Sequence, residues 1–368
     1  MKILVTGGAG FIGSHIVDAL VDKHEVVVLD NLEPQVHVEK PEYLNEKVTY
    51  IFGDMRDKEV LKRSIEGVEI IFHQAAAVGV GQSMYQIEKY VDVNTMGTAK
   101  LLDILINEEN EVKKLIVASS MSIYGEGAYE CDYCGVVYPA LRSEEQLRKR
   151  EWEVRCPNCG KIVKPIPTNE EKPLKPTSIY AITKRDQEEM CLVTGRAYGI
   201  PTVALRYFNV YGPRQSLNNP YTGVCAIFSS RIKSGKPPLI FEDGLQTRDF
   251  ISVHDVVQAN LLAMEKRSAN YEAFNVGTGN PISIREVAET LIKLYNSNVS
   301  PEITNKFRVG DIRHCYADIS KIKSKLGFEP KVSFRDGMTE LVAWAEKVKA
   351  VDLFEKAHEE LISKGLVE

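Results

Sequence analysis

Hydrophobic positions in the first 120 residues fall into two alternating rhythms. The short runs "KILVTGG", "HEVVVLD", "VTYIFGD", "EIIFHQAA" and "KKLIVASS" are apolar at nearly every position and close on small or polar residues. Runs of this kind predict strands buried on both faces, as in a parallel sheet. Between them, "FIGSHIVDALVDK", "KEVLKRSIEG" and "IEKYVDVNTMGTAKLLDILINEE" place apolar residues at helical spacing, which predicts helices packed on that sheet. Strand–helix alternation predicts an α/β fold, a Rossmann-type doubly wound parallel sheet.

The rhythm breaks between Gly125 and Pro176, a stretch holding two Cys-x-x-Cys pairs and the charged run "LRSEEQLRKREWEVR". It resumes with a helix from Ser178 and the strand "TVALRYFNV", and the chain ends in charged helices such as "VDLFEKAHEELISK". The expected organisation is a sheet domain over 1–125, continued by 170–210 and about 246–275, with an insert over 126–169. A smaller C-terminal substrate-binding α/β region is expected over 211–245 and 276–368.

Composition narrows the partners. A net charge of −5 leaves no basic footprint, so neither nucleic acid nor an anionic membrane is expected, and an anionic ligand must be met by local Arg, Lys and helix N-termini. No apolar run approaches the ~20 residues that span a bilayer. The opening "MKILVTGGAG" is too short for a signal peptide and reads as a first strand, so a cytoplasmic location is expected. Seven cysteines, four of them in the two pairs, favour metal over disulfides in a reducing compartment.

Candidate chemistry begins in "TGGAGFIGSH", which follows a strand and opens a helix. Gly7, Gly10 and Gly13 fit G-x-x-G-x-x-G, letting backbone approach a pyrophosphate at the helix N-terminus. Asp30 ends the second strand, where a carboxylate accepts ribose hydroxyls and repels a 2′-phosphate; that selects NAD over NADP. Asp54 in "FGDMRD" is placed to reach the adenine edge, or is a turn aspartate. In "SIYAITKRD", Tyr180 and Lys184 stand four apart and face the same way on one helix. A phenol is a poor base at neutral pH, and an adjacent ammonium together with a cationic nicotinamide is expected to lower its pKa.

With "TGGAGFIG", "HQAA", "VNTMGTAKLL", "ASSMSIYG", "YAITK", "RYFNVYGPRQ", "TRDFISVHDV" and "FRVGDIRHCYAD" the chain resembles an extended short-chain dehydrogenase/reductase of the NAD-dependent nucleotide-sugar epimerase/dehydratase family. The resemblance implies Tyr180 as base, Ser120 on the reacting 4-hydroxyl, and Lys184 bridging Tyr180 and the nicotinamide ribose. It also implies a cofactor site of Gly7, Gly10, Phe11, Ile12, Gly13, Asp30, Asn31, Asp54, Met55, Ala75, Ala76 and Asn94. Dehydratases of the family carry Asp-Glu after the Ser120 position, and decarboxylases tend to carry an acid there. Met121 and Ser122 stand there in this chain, so the implied reaction is 4-epimerisation: oxidation at C4, rotation of the keto sugar, and reduction from the other face.

The same resemblance implies Arg248 and Arg308 as diphosphate clamps, Asn209 and Ser122 as substrate contacts, and Asp311 on the nucleotide ribose. Relatives acting on glucuronic acid tend to present an Arg near Gln82, and familiar glucose epimerases a Lys where Val78 stands. An uncharged edge therefore suits a neutral dTDP- or UDP-hexose. The stretch most resembles the dTDP-L-rhamnose 4-epimerase branch, followed by UDP-glucose and UDP-N-acetylglucosamine 4-epimerases. A homodimer is implied, through helices containing Val91 to Ile106 and Tyr180 to Tyr198.

Cys131-x-x-Cys134-Gly and Cys156-x-x-Cys159-Gly have the spacing of two zinc knuckles. Together they predict a four-thiolate Zn²⁺ ribbon, closed to water and therefore structural; iron, two disulfides or a metal-free loop are the alternatives. The insert leaves just after Ser120 and returns just before Tyr180, so its base is expected at the active-site rim, shaping the sugar pocket or packing on a second subunit. Trp152 is expected to supply the module's apolar contact, and Cys191, Cys225 and Cys315 to be buried packing residues. Competing readings are a dehydratase, decarboxylase or reductase of the same family, and a catalytically silent binding protein.

Overall fold

The computed structural model describes residues 1–221 and 223–368. Its main sheet has seven parallel strands: β1 (Lys2–Thr6), β2 (Glu25–Asp30), β3 (Thr49–Phe52), β4 (Ile70–His73), β5 (Lys114–Ser120), β6 (Thr202–Tyr207) and β7 (Glu272–Val276). They lie in the order β7-β6-β5-β4-β1-β2-β3. The order reverses between β1 and β4, which opens a crevice at the carboxyl ends of the strands. Pairing of Thr6 with His73, His73 with Val117, and Ser120 with Tyr207 brings those ends to one edge.

The continuous apolar runs follow from burial on both faces. Ile3, Val5, Val28 and Phe72 point to one side, against α1 (Phe11–Leu20) and the helix Val253–Glu265. Their neighbours Leu4, Val27 and Ile71 point to the other, against helices Gly97–Asn107 and Ile179–Tyr198. Successive strand side chains alternate in direction, so a doubly covered strand has no polar positions to give away. The stretch 87–107 is helical throughout but includes a π-helical turn at Val91–Met96.

A second sheet pairs Asn209–Tyr211 with Thr247–Ser252, which in turn pairs with Pro281–Ser283 and His314–Cys315. Around it a separate core forms from residues such as Phe228, Phe250, Leu291 and Leu341.

The insert folds as three short antiparallel strands, with Ala128–Cys131 between Gly135–Val137 and Lys164–Ile166. Its own core is Tyr129, Cys131, Val137, Val154, Cys156 and Val163. Trp152 is absent from that cluster; it packs with Leu147 on Phe307. The expectation for this residue is thus corrected, because the indole docks the module onto the C-terminal region. Cys191, Cys225 and Cys315 are buried free thiols, as expected.

Candidate active site

A cavity of about 640 Å³ runs along the carboxyl edge of the sheet, from the glycine loop to the C-terminal helix Phe354–Ser363. At one end α1 begins at Gly10, which offers no capping side chain, so the first-turn N–H groups face the cavity unclaimed by a side chain. A Cβ on Gly13 would sit 2.2 Å from the Gly7 carbonyl oxygen, so only hydrogen fits where helix and loop cross. Asp30 accepts the N–H of Ala9 at 3.0 Å on one carboxylate oxygen and that of Leu32 at 2.8 Å on the other. Each oxygen keeps a lone pair for a further donor. Asp54 is more fully engaged: Arg56 and Asn31 donate to it, and the Arg56 hydrogen bond holds its carboxyl down at about 2.

The end expected to carry the chemistry is built on β5 and the helix Ile179–Tyr198. Ser178 caps that helix by accepting the Ala181 N–H at 3.1 Å, while the Tyr180 N–H donates to Ser83 Oγ at 3.0 Å. Tyr180 and Lys184, one turn apart, both line the cavity. Ser120 ends β5 and its Oγ accepts from both the N–H and the hydroxyl of Ser122, at 3.2 and 2.9 Å. With those bonds accepted, the Ser120 proton is free to be donated.

Burial governs both titrating groups. It raises the Tyr180 phenol to about 12, against a pull downward from the Ser120 hydroxyl, and lowers Lys184 to about 8. The drop in phenol pKa expected from Lys184 is therefore not a property of the folded chain by itself. Lys184 Nζ donates to Gln187 Oε1 at 2.7 Å, and Gln187 in turn donates to Thr98 at 2.8 Å. His73 lies below, fully buried between Thr6 and Thr98, and burial lowers its pKa to about 3. It is a neutral packing residue.

The cavity also collects Phe11, Ile12, Met55, Ala75 and Ala76, expected at the cofactor, and Val78, Gln82, Ser122, Asn209, Arg248, Arg308 and Asp311, expected at the substrate. Asn209 Oδ1 is buried without a partner. Gln82 is held by Tyr90 and Gln35 at 3.0 Å each. Arg248 donates to the carbonyls of Thr247, Ile312 and Arg313 at 2.7 to 2.9 Å. Arg308 lies over the Phe241 ring at 4.8 Å and pairs with Asp311 at 2.8 Å.

Asn94 is not among the lining residues. Its side chain is buried in bonds to both backbone groups of Ala77 and to Thr183 Oγ1, at 2.7 to 3.1 Å, and so ties the π-helical turn to the helix Ile179–Tyr198. No residue of the insert over 126–169 lines the cavity among those described; Gly125, just before it, does. Sequence reading missed the far wall, where Phe354, Ala357, His358 and Leu361 join Phe241. Their spacing marks an apolar helix face but does not say what the face covers.

The sequence profile of the NAD dependent epimerase/dehydratase family matches residues 3–140 and 158–277, breaking within the insert. A dTDP-L-rhamnose 4-epimerase of Burkholderia thailandensis is 36% identical over 348 residues, covering 93% of this chain and 94% of that protein. The structure of a UDP-glucose 4-epimerase from Thermotoga maritima with UDP-glucose is similar with a TM-score of 0.76 at 35% identity, over 94% of this chain and 99% of that one. The Thermus thermophilus UDP-glucose 4-epimerase in complex with NAD gives 0.74 at 32% identity, over 95% of this chain and 100% of the other. The profile match over most of the chain and the relative at 36% identity show that the chain belongs to the NAD dependent epimerase/dehydratase family.

Proposed function

We propose that the protein is a nucleotide-sugar 4-epimerase acting on a neutral dTDP- or UDP-hexose with tightly held NAD. The observation that carries this reading is the reacting end itself: Ser120, Tyr180 and Lys184 share one cavity with no added acid. The carboxylates among the described lining residues are Asp30, Glu33, Asp54 and Asp311. Asp30 ends β2, Glu33 follows it and Asp54 follows β3, all at least three strands from Ser120 in sheet order, and Asp311 is paired with Arg308. Elimination of water needs an acid beside the sugar, and none of these is placed for it.

NAD supplies a hydride acceptor and, once reduced, a hydride donor, and its cationic ring favours a phenolate nearby. The glycine loop, the open start of α1 and Asp30 fit a pyrophosphate and an adenosine ribose. Tyr180 removes the proton from O4 and later returns it. Ser120, fixed by Ser122, donates to the same oxygen and holds C4 in line. Lys184 keeps a positive charge below the phenol as the proton leaves. Arg248, Arg308 and Asp311 hold the nucleotide diphosphate, and uncharged Val78 and Gln82 leave room for the hexose to turn.

The reading is tested by incubating the enzyme with a panel of dTDP- and UDP-hexoses without added NAD(H) and following the sugar by proton NMR. One substrate should give a stable mixture of C4 epimers. Release of water or CO₂, or consumption of added NADH in step with product, would replace it with another reaction of the family.

The four sulfurs of Cys131, Cys134, Cys156 and Cys159 lie within 4.8 Å of one another. Edges of a tetrahedral Zn–S₄ site are about 3.8 Å, from bonds of about 2.3 Å. Cys131 and Cys159 stand 3.5 Å apart, far beyond a disulfide bond of about 2.0 Å. Gly135 and Gly160 turn the two knuckles with φ of 71° and 73°. This donor set supports a structural zinc. Ile87, Val91, Met96 and Val193, exposed on the helices flanking the site, support a homodimer. Purified protein should carry about one zinc per chain by elemental analysis and sediment at twice the chain mass; a metal-free or monomeric preparation of full activity would remove the corresponding proposal.

A further inference from the structure

The insert touches the nucleotide side of the cavity from behind. Arg313 has no exposed surface, yet its guanidinium meets three carboxylates: Glu153 of the insert at 2.6 Å, Glu242 at 2.9 Å and Asp243 at 2.7 Å. Arg142, also from the insert, grips Glu242 with both terminal nitrogens at 2.9 Å and donates to the Asp311 carbonyl at 3.2 Å. The third insert contact is Glu126, whose carboxylate accepts the backbone N–H groups of Arg313 and His314 at 2.9 to 3.0 Å. The ribbon's core residue Tyr129 fixes that carboxylate with its hydroxyl at 2.5 Å.

These contacts converge on one short segment. Residues 308–313 carry Arg308 and Asp311, and the carbonyls of Ile312 and Arg313 hold the Arg248 guanidinium. A buried ion network is a poor source of stability, since desolvating each charge costs several kcal/mol. What it supplies is registration: two planar forks fit their carboxylates in one geometry only.

We infer that the cysteine insert is a buttress for the nucleotide-diphosphate arm, with Glu126, Arg142 and Glu153 as positioning residues that set substrate affinity from outside the cavity. The inference rests on the proposed placement of the nucleotide at Arg248, Arg308 and Asp311. It separates binding from chemistry, because the buttress meets neither Ser120 nor Tyr180.

The test uses the full-length protein and calorimetric titration with UDP and dTDP, alongside steady-state kinetics with the active nucleotide sugar. Glu153→Ala should raise the nucleotide Kd and the KM about tenfold, within the range for residues acting on a site they do not touch, with kcat changed less than about twofold and NAD content intact. Glu153→Gln should recover most of the affinity, and Tyr129→Phe should shift Kd about threefold in the same direction. Asp132→Asn, on the module's outer surface, should change nothing. Unchanged Kd in both Glu153→Ala and Tyr129→Phe, or a fall in kcat at constant KM, overturns the inference. Arg308→Ala separates the two levels. If it weakens UDP and dTDP while Glu153→Ala does not, the buttress alone falls; if neither variant weakens them, the nucleotide placement falls with it.

Discussion

Tyr180→Phe is expected to lower kcat by about 10³-fold, the usual contribution of a positioned acid–base group, with KM and bound NAD little changed. The substitution removes one oxygen and leaves the ring, which sits edge-on to Tyr90 at 6.4 Å. The backbone bond from Tyr180 to Ser83 is also untouched, so the helix should keep its position. No neighbour can take over the proton. Lys184 is tied to Gln187, His73 is buried as a neutral ring below, and Ser120 has far too high a pKa to act as base. Burial holds the phenol near 12 in the folded chain, so only an enzyme that lowers it on loading the cationic cofactor gains a base at neutral pH. Turnover of the Phe variant within tenfold of the parent, with NAD content and thermal transition unchanged, would dismiss Tyr180 as the base.

Gly13→Ala should yield a protein that purifies without NAD and has lost about a hundredfold or more in cofactor affinity, equivalent to the ~3 kcal/mol that overpacking against rigid backbone costs. The new methyl would lie 2.2 Å from Gly7 O and 2.8 Å from Gly8 Cα. Both are main-chain atoms of the loop proposed to face the pyrophosphate, so neither can swing aside as a side chain would. Either the loop lifts away from α1 or the helix start moves back; each displaces the N–H groups offered to phosphate. The effect should appear as lost absorbance of bound cofactor and as activity that returns only at high added NAD. Gly8→Ala is a useful contrast: its Cβ would meet the Val28 methyl groups at 2.7 and 2.8 Å, which a paired Val28→Ala change can relieve. Retention of full NAD occupancy in Gly13→Ala would show that the loop does not carry the cofactor.

Much of the sheet and the reacting end was legible along the chain because each signal is local. Five apolar runs became β1 to β5, and Tyr180 with Lys184 followed from one helical turn. Nearly all residues singled out for the cofactor and substrate meet in one cavity; Asn94 is the exception, its side chain bonded instead to Ala77 and Thr183 from a π-helical turn that periodicity does not reveal. The insert was harder to read. Its cysteine spacing announced a clasp, while "LRSEEQLRKREWEVR" could be read only as a charged run. Folding buries Arg142 from that run against Glu242, which lies 100 residues away in sequence. It likewise brings Glu126 to the backbone of Arg313, 187 residues on.

The sequence by itself therefore determined the strand–helix alternation, the glycine turn, the Tyr-Lys pair and the thiol set, since each is fixed by backbone conformation or by residues within a turn of one another. Only the tertiary structure decided that the insert packs behind residues 311–314, that Trp152 docks it on Phe307, and that the last helix walls the cavity. Those outcomes depend on which charges and apolar faces meet across long chain separations, and a charged or amphipathic segment carries the same pattern whether it faces water or a distant partner.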